Sequence, residues 1–160
     1  MIVLRSNEEF SAYWETDQTL PSIFLAGPTP RDGSKGWRPQ ALKYLEFDHS
    51  FNGVVFVPEP FSESYEKQIG WEWNALNFST IRLFWVPREL EKMPAFKTNI
   101  EFGMFLNCGE SDRIVYGRPK NAPKTSYMDW HYKRVTKRDP CYNLNRLLSV
   151  AVVKSQRIKG

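Results

Sequence analysis

Four short apolar runs recur along this chain at a nearly constant interval: 22-SIFLAG-27, 53-GVVFVP-58, 81-IRLFWVP-87 and 113-RIVYG-117. Each is rich in β-branched or aromatic residues and bounded by turn residues, the pattern of a strand. Their starts lie about 30 residues apart, enough for a strand, a crossover helix and a return to the sheet. The segments 38-RPQALKYLEF-47, 66-EKQIGWEWNALNF-78 and 98-TNIEFGMFLN-107 carry helical patterning, with Pro39 where a first helical turn tolerates it. This alternation predicts an α/β fold, a doubly wound (Rossmann/flavodoxin-like) parallel sheet with helices on both faces. The segment 143-NLNRLLSVAVVKSQ-156 has apolar residues at helical spacing and is expected to pack back on that sheet. Residues 119–140 form a long, poorly patterned connection, which in a compact domain is more often functional than idle. With 41% apolar residues in 160 positions and no internal repeat, one domain over residues 1–160 is expected.

Charge and cysteine usage narrow the function classes. Lys and Arg number 22 against 18 Asp and Glu, and the excess gathers after residue 113. That segment can act as a phosphate-attracting face, but a solvated basic tail is the simpler reading. Nucleic acid is not expected as a partner, because no aromatic–basic repeat or known module motif accompanies the charge. Cys108 and Cys141 form no CxxC pair and have no His at ligand spacing, so neither a metal site nor a disulfide framework is expected. A reducing cytoplasm fits that usage. No apolar run approaches the roughly 18 residues of a membrane span, and the N-terminus lacks a signal pattern. A membrane is therefore not expected as a partner.

Sheets of this kind bind ligands beyond the carboxyl ends of their strands. The loops there are 27-GPTPRDGSKGWR-38, 58-PEPFSESYE-66, 87-PRELEKMPAFKTN-99 and 117-GRPKNAPK-124. Gly27, Pro28, Thr29, Arg31, Trp37, Glu59, Arg88 and Asn99 are the candidates for substrate contact. The first loop is neither GxxxxGK[ST] nor GxGxxG and is not read as a nucleotide-phosphate loop of those kinds.

The stretch 94-PAFKTNIEFGMFLNCG-109 sets Glu101 among Ile100, Phe102, Met104, Phe105 and Leu106. Thr98-Asn99-Ile100-Glu101 matches a capping box, in which the glutamate reaches back to the N-cap amide. Equally, Glu101 in a first turn that points into the crevice would be held ionised by the helix dipole and suited to attack. A second acid, Glu72, lies in 71-WEWNAL-76 between two tryptophans. Two carboxylates converging near aromatic walls suit chemistry between a sugar and its leaving group.

Taken together, 23-IFLAGPTPR-31, 53-GVVFVPEP-60, 71-WEWNAL-76, 84-FWVPR-88, 94-PAFKTNIEFG-103 and 114-IVYGRP-119 resemble the nucleoside 2-deoxyribosyltransferase-like family, over residues 22–125. Residues 126–160 would be a C-terminal extension and helix. The resemblance implies a five-stranded parallel α/β/α domain without metal or organic cofactor, and active sites assembled in homo-oligomers. It places the family's nucleophile on Glu101 and its base-holding acid on Glu72. The implied reaction cleaves the N-glycosidic bond of a 2-deoxyribonucleoside through a glutamyl-deoxyribosyl intermediate and passes the sugar to another base. Small-molecule partners would be a nucleoside or nucleotide and a free base. The family also holds N-glycosidases that use water, and members that have lost catalysis, so hydrolysis and an idle nucleotide-binding domain stay as alternatives. Two of Arg31, Arg38, Arg88 and Arg118 converging on the crevice would favour a 5′-phosphate. Trp37, Trp71, Trp73 and Trp85 are candidates for stacking a base, although most should be core. The chain departs from the family at Ser79-Thr80, where many members have Ala-Asp, and at Phe24, which falls where a tyrosine often orients the nucleophile.

Overall fold

In the computed structural model, which describes residues 1–159, the four apolar runs form strands and a fifth joins them. The strands are β1 (Ile2–Arg5), β2 (Ser22–Ala26), β3 (Val54–Val57), β4 (Ile81–Trp85) and β5 (Ile114–Gly117). All neighbours pair in parallel, in the order β1-β3-β2-β4-β5. The helices are α1 (Arg38–Lys43), continued by a π-helical turn over Tyr44–Asp48, then α2 (Tyr65–Phe78), α3 (Phe96–Leu106), α4 (Ser126–Thr136) and α5 (Leu144–Lys159).

Side chains alternate across the strands, so the sheet has two apolar faces. Phe24, Phe56, Phe84 and Tyr116 pack under α2, α3, α4 and a 3-10 turn at Phe10–Glu15. Ile23, Leu25, Val55, Leu83 and Val115 pack under α1 and α5. The result is the expected three-layer α/β/α arrangement with a wholly parallel sheet. No described helix is long and apolar enough to cross a membrane.

Two features differ from the sequence-based expectation. The strand order is not that of the dinucleotide-binding Rossmann fold, because β1 pairs outside β3 at the sheet edge. This strand is four residues long and Ile2 is partly exposed, so it carries too little apolar pattern to stand out. The supposed patternless connection also contains α4. Only Met128 and Tyr132 of that helix are buried, while Tyr127 and Trp130 face outward, which blurs the amphipathic period.

The chain runs outward from β2 to β3 and then returns to β4 on the other side of β2. Connections leaving β2 and β4 therefore diverge to opposite sides, opening a crevice at their carboxyl ends. Gly27 makes the close passage possible: a Cβ there would lie 2.1 Å from the Trp85 carbonyl oxygen.

Candidate active site

A cleft of about 980 Å³ occupies this crevice, walled by the loop after β2, the segment after β3 and the first turns of α3. Gly27, Pro28, Thr29, Arg31, Glu72 and Glu101 all line it. Phe24 forms part of its floor.

The register of α2 carries Glu72 inward. Ser64 caps the helix by accepting a hydrogen bond from the Lys67 amide, and the buried stripe that follows is Gln68, Trp71, Glu72, Ala75 and Leu76. A carboxylate buried in such a stripe needs partners. Gln68 donates Nε2–H to Oε1 of Glu72 at 2.5 Å, and the Lys97 ammonium on α3 donates to both oxygens at 2.7 and 2.6 Å. The two flanking tryptophans separate: Trp71 is core, while Trp73 is half-exposed against Phe105.

Helix α3 starts earlier than its sequence motif suggests. Ala95, in left-handed conformation at φ 63°, is the N-cap, so Thr98 is the third helical residue and Glu101 the sixth. The expected capping box does not form, because the turn after Pro94 nucleates the helix two residues before the motif. Glu101 is thereby carried past the first turn, where the dipole acts most strongly. Burial dominates its environment and pushes its carboxyl up to about 7, with Glu72 adding to the rise and Lys97 and Arg38 opposing it. The dipole-held carboxylate expected from the sequence is replaced by an acid that titrates near neutrality.

The remaining candidates do other work. Arg38 is fully buried and spends every side-chain nitrogen on the chain: Nε donates to the Leu25 carbonyl at 3.0 Å, Nη2 to the Gly27 carbonyl at 2.6 Å, and Nη1 to Thr29 and Glu59 at 3.0 and 2.5 Å. Glu59 is thus the counter-ion of a buried strut and not a cleft wall; Thr29 joins the same network by donating to it at 2.6 Å. Trp37 is core, its indole N–H donating to the Pro28 carbonyl at 3.2 Å beneath the loop. Arg88 is buried and does not line the cleft; it donates to the Lys124 carbonyl and to Asn99 Oδ1, both at 2.5 Å, so both it and Asn99 fasten α3 to the connection between β5 and α4. Arg118 pairs with Asp129 at 2.6 Å, away from the cleft. Of the four arginines only Arg31 lines the cleft with an exposed side chain, its guanidinium 5.8 Å over the Phe96 ring.

Gln68 and Lys97 are the cleft residues that sequence reasoning missed. Each sits four positions before a candidate acid, at the spacing that brings helical side chains together, and that was the available signal. The arrangement places two acids in different surroundings within one cleft: one buried and ion-paired, the other desolvated and pushed up to about 7. Such a division equips a site for nucleophilic or acid–base work. Comparison with protein-family models and with curated proteins finds no match for this chain.

Proposed function

We propose that the protein is a nucleoside 2-deoxyribosyltransferase-like enzyme that cleaves the N-glycosidic bond of a 2-deoxyribonucleoside and transfers the sugar to a second base. The observation that carries this reading is the convergence of Glu72 and Glu101, from neighbouring helices, on one cleft at the strand carboxyl ends. A Glu101 oxygen attacks C1′, the bond to the base breaks, and a deoxyribosyl ester forms. Glu72 hydrogen-bonds the base and supplies the proton that neutralises it as it leaves. A second base then attacks the same carbon and restores the original configuration. Engagement of every Arg38 nitrogen leaves one exposed arginine in the cleft, which supports a nucleoside over a 5′-nucleotide as substrate. Chromatography of a deoxynucleoside incubated with a second base should show the exchanged nucleoside. Free base and free sugar alone would replace transfer by hydrolysis, and no release of base would refute the enzymatic reading.

Glu72 can be tested through the leaving group. Glu72→Gln should slow release of poorly leaving bases by roughly 10²- to 10⁴-fold while activated bases lose far less. Equal losses across a leaving-group series, measured as kcat/KM, would remove Glu72 from proton transfer.

Homo-oligomer formation is part of the same proposal. Tyr65, Ile69 and Trp73 recur every fourth residue on α2, and Phe96, Ile100 and Met104 do so on α3, each about half exposed or more. These six side chains leave two apolar helix faces in water beside the cleft, the kind of exposure that a partner covers. Tyr65, Phe96 and Ile100 also rim the cleft, so a second copy seated there would close its mouth. Light scattering should give a mass above the 18.8 kDa of one chain. Ile69→Glu with Met104→Glu should return it to monomer; a monomeric wild type at micromolar concentration would overturn this part.

A further inference from the structure

Lys97 holds a position that the reaction just described does not assign. Its ammonium spans both oxygens of Glu72 at 2.6 and 2.7 Å, yet its side chain is 46% exposed, at the mouth of the cleft and not fixed in the core. It also lies on α3 four residues before Glu101, a spacing at which side chains of one helix meet. Its ammonium therefore satisfies one carboxylate of the cleft while its side chain rises from the helix face that carries the other. Glu101 is faced by Lys97 from its own helix, by Glu72 from α2 and by Arg38 from α1. Arg38 is locked in its buried network. Lys97 is thus the one of these cations free to change partner.

We propose that Lys97 is a positioning residue whose ammonium serves the two carboxylates in turn, and so decides which of them carries the proton. In the ligand-free protein it rests on Glu72, and Glu101 is left the better proton carrier. When an N–H group of a base takes over Glu72, Lys97 turns to Glu101. Glu101 then gives up its proton, Glu72 is free to receive it, and the pair keeps the same total charge. One cation movement produces both an ionised nucleophile and an acid beside the leaving base. The raised titration of Glu101 toward neutrality agrees with the ligand-free half of this cycle. The inference rests on the proposed reaction for its purpose, but its electrostatic core does not require turnover.

The test is a titration of the Glu101 carboxyl by carbon-13 NMR, assigned by the resonance missing from Glu101→Gln. It is run on the wild type, Lys97→Met, Glu72→Gln and the double variant. Removing Lys97 should raise the Glu101 midpoint in both backgrounds, by about 1 unit where Lys97 is released to it, and by clearly more in Glu72→Gln than in wild type. An effect that is absent, or the same size in both backgrounds, overturns the proposal, because the ammonium would then not redistribute. Lys97→Arg keeps a cation at the site and should restore most of the wild-type midpoint; if it behaves like Lys97→Met, charge is not what acts. For the kinetic half, the acid limb of kcat/KM should move up in Lys97→Met with the midpoint. An unmoved limb in an active enzyme overturns the cycle. A wild type without activity fails the reading of function, while the four-protein titration still decides the role of Lys97.

Discussion

Glu101→Gln is expected to abolish turnover and at the same time make the protein more stable above neutrality. The amide cannot form the glycosyl ester, so kcat should fall by roughly 10³-fold or more with the fold and ligand binding intact. Wild-type protein given a 2-fluoro-2-deoxy nucleoside, which slows the second step, should gain the mass of one sugar on the peptide containing Glu101. The stability effect follows from the raised titration. Glu101 goes from an ordinary 4.5 in the unfolded chain to about 7 in the fold, so the native state binds more protons between those values. Its contribution is therefore fully favourable below about 4.5 and is lost as pH rises through about 7. Glutamine does not ionise and escapes that loss. In a cleft open to water the gain at pH 8 should be on the order of 1–2 kcal/mol, vanishing toward pH 4. Thermal unfolding at the two pH values measures it. Full activity in the variant, or a label on another carboxylate, would make Glu101 a structural residue, and equal stability at both pH values would remove the desolvated acid.

Arg38→Met is expected to be the most destabilising single change at the site. The methionine fills much of the volume but strands the Leu25 and Gly27 carbonyls and leaves Glu59 without its cation. Breaking a buried ion pair from one side costs about 3–5 kcal/mol, because a charge stays behind unpaired. The cleft should suffer too, since the same guanidinium fixes the Gly27 and Thr29 walls. Arg38→Lys should rescue little: a single ammonium cannot reproduce a fork that reaches four acceptors. Adding Glu59→Leu to Arg38→Met should recover part of the loss by removing the stranded charge. Urea denaturation checks all three, and a loss below about 1 kcal/mol for Arg38→Met would mean the strut is not what holds the loop.

Some of this architecture was legible from sequence because the signals are local and repeated. Alternating apolar runs at constant spacing left a parallel sheet with crossover helices as the consistent arrangement, and β2 to β5 fall on the predicted runs. The same logic put Glu72 and Glu101 on consecutive helices, and because their strands β3 and β4 flank β2 on either side, both acids reach the cleft above it. The short edge strand β1 and the helix α4 escaped because each buries too few residues to print a period.

What only the tertiary structure decided is the partner, and hence the state, of each charged group. Spacing pairs Lys97 with Glu101, but in the fold its ammonium rests on Glu72 from the neighbouring helix. Four crevice arginines looked equivalent in sequence, yet Arg38 and Arg88 are buried ties, Arg118 is ion-paired elsewhere and Arg31 alone offers an exposed head to the cleft. Arg82 lies inside an apolar strand pattern and is nevertheless buried, donating to the Leu76 carbonyl at 2.6 Å and to Glu110 at 2.9 Å with Phe105 beneath it. Periodicity records which face of an element is apolar, a property of neighbours along the chain. The free energy of a charge depends on desolvation and on the nearest opposite charge through space, and those are fixed only when distant segments pack together.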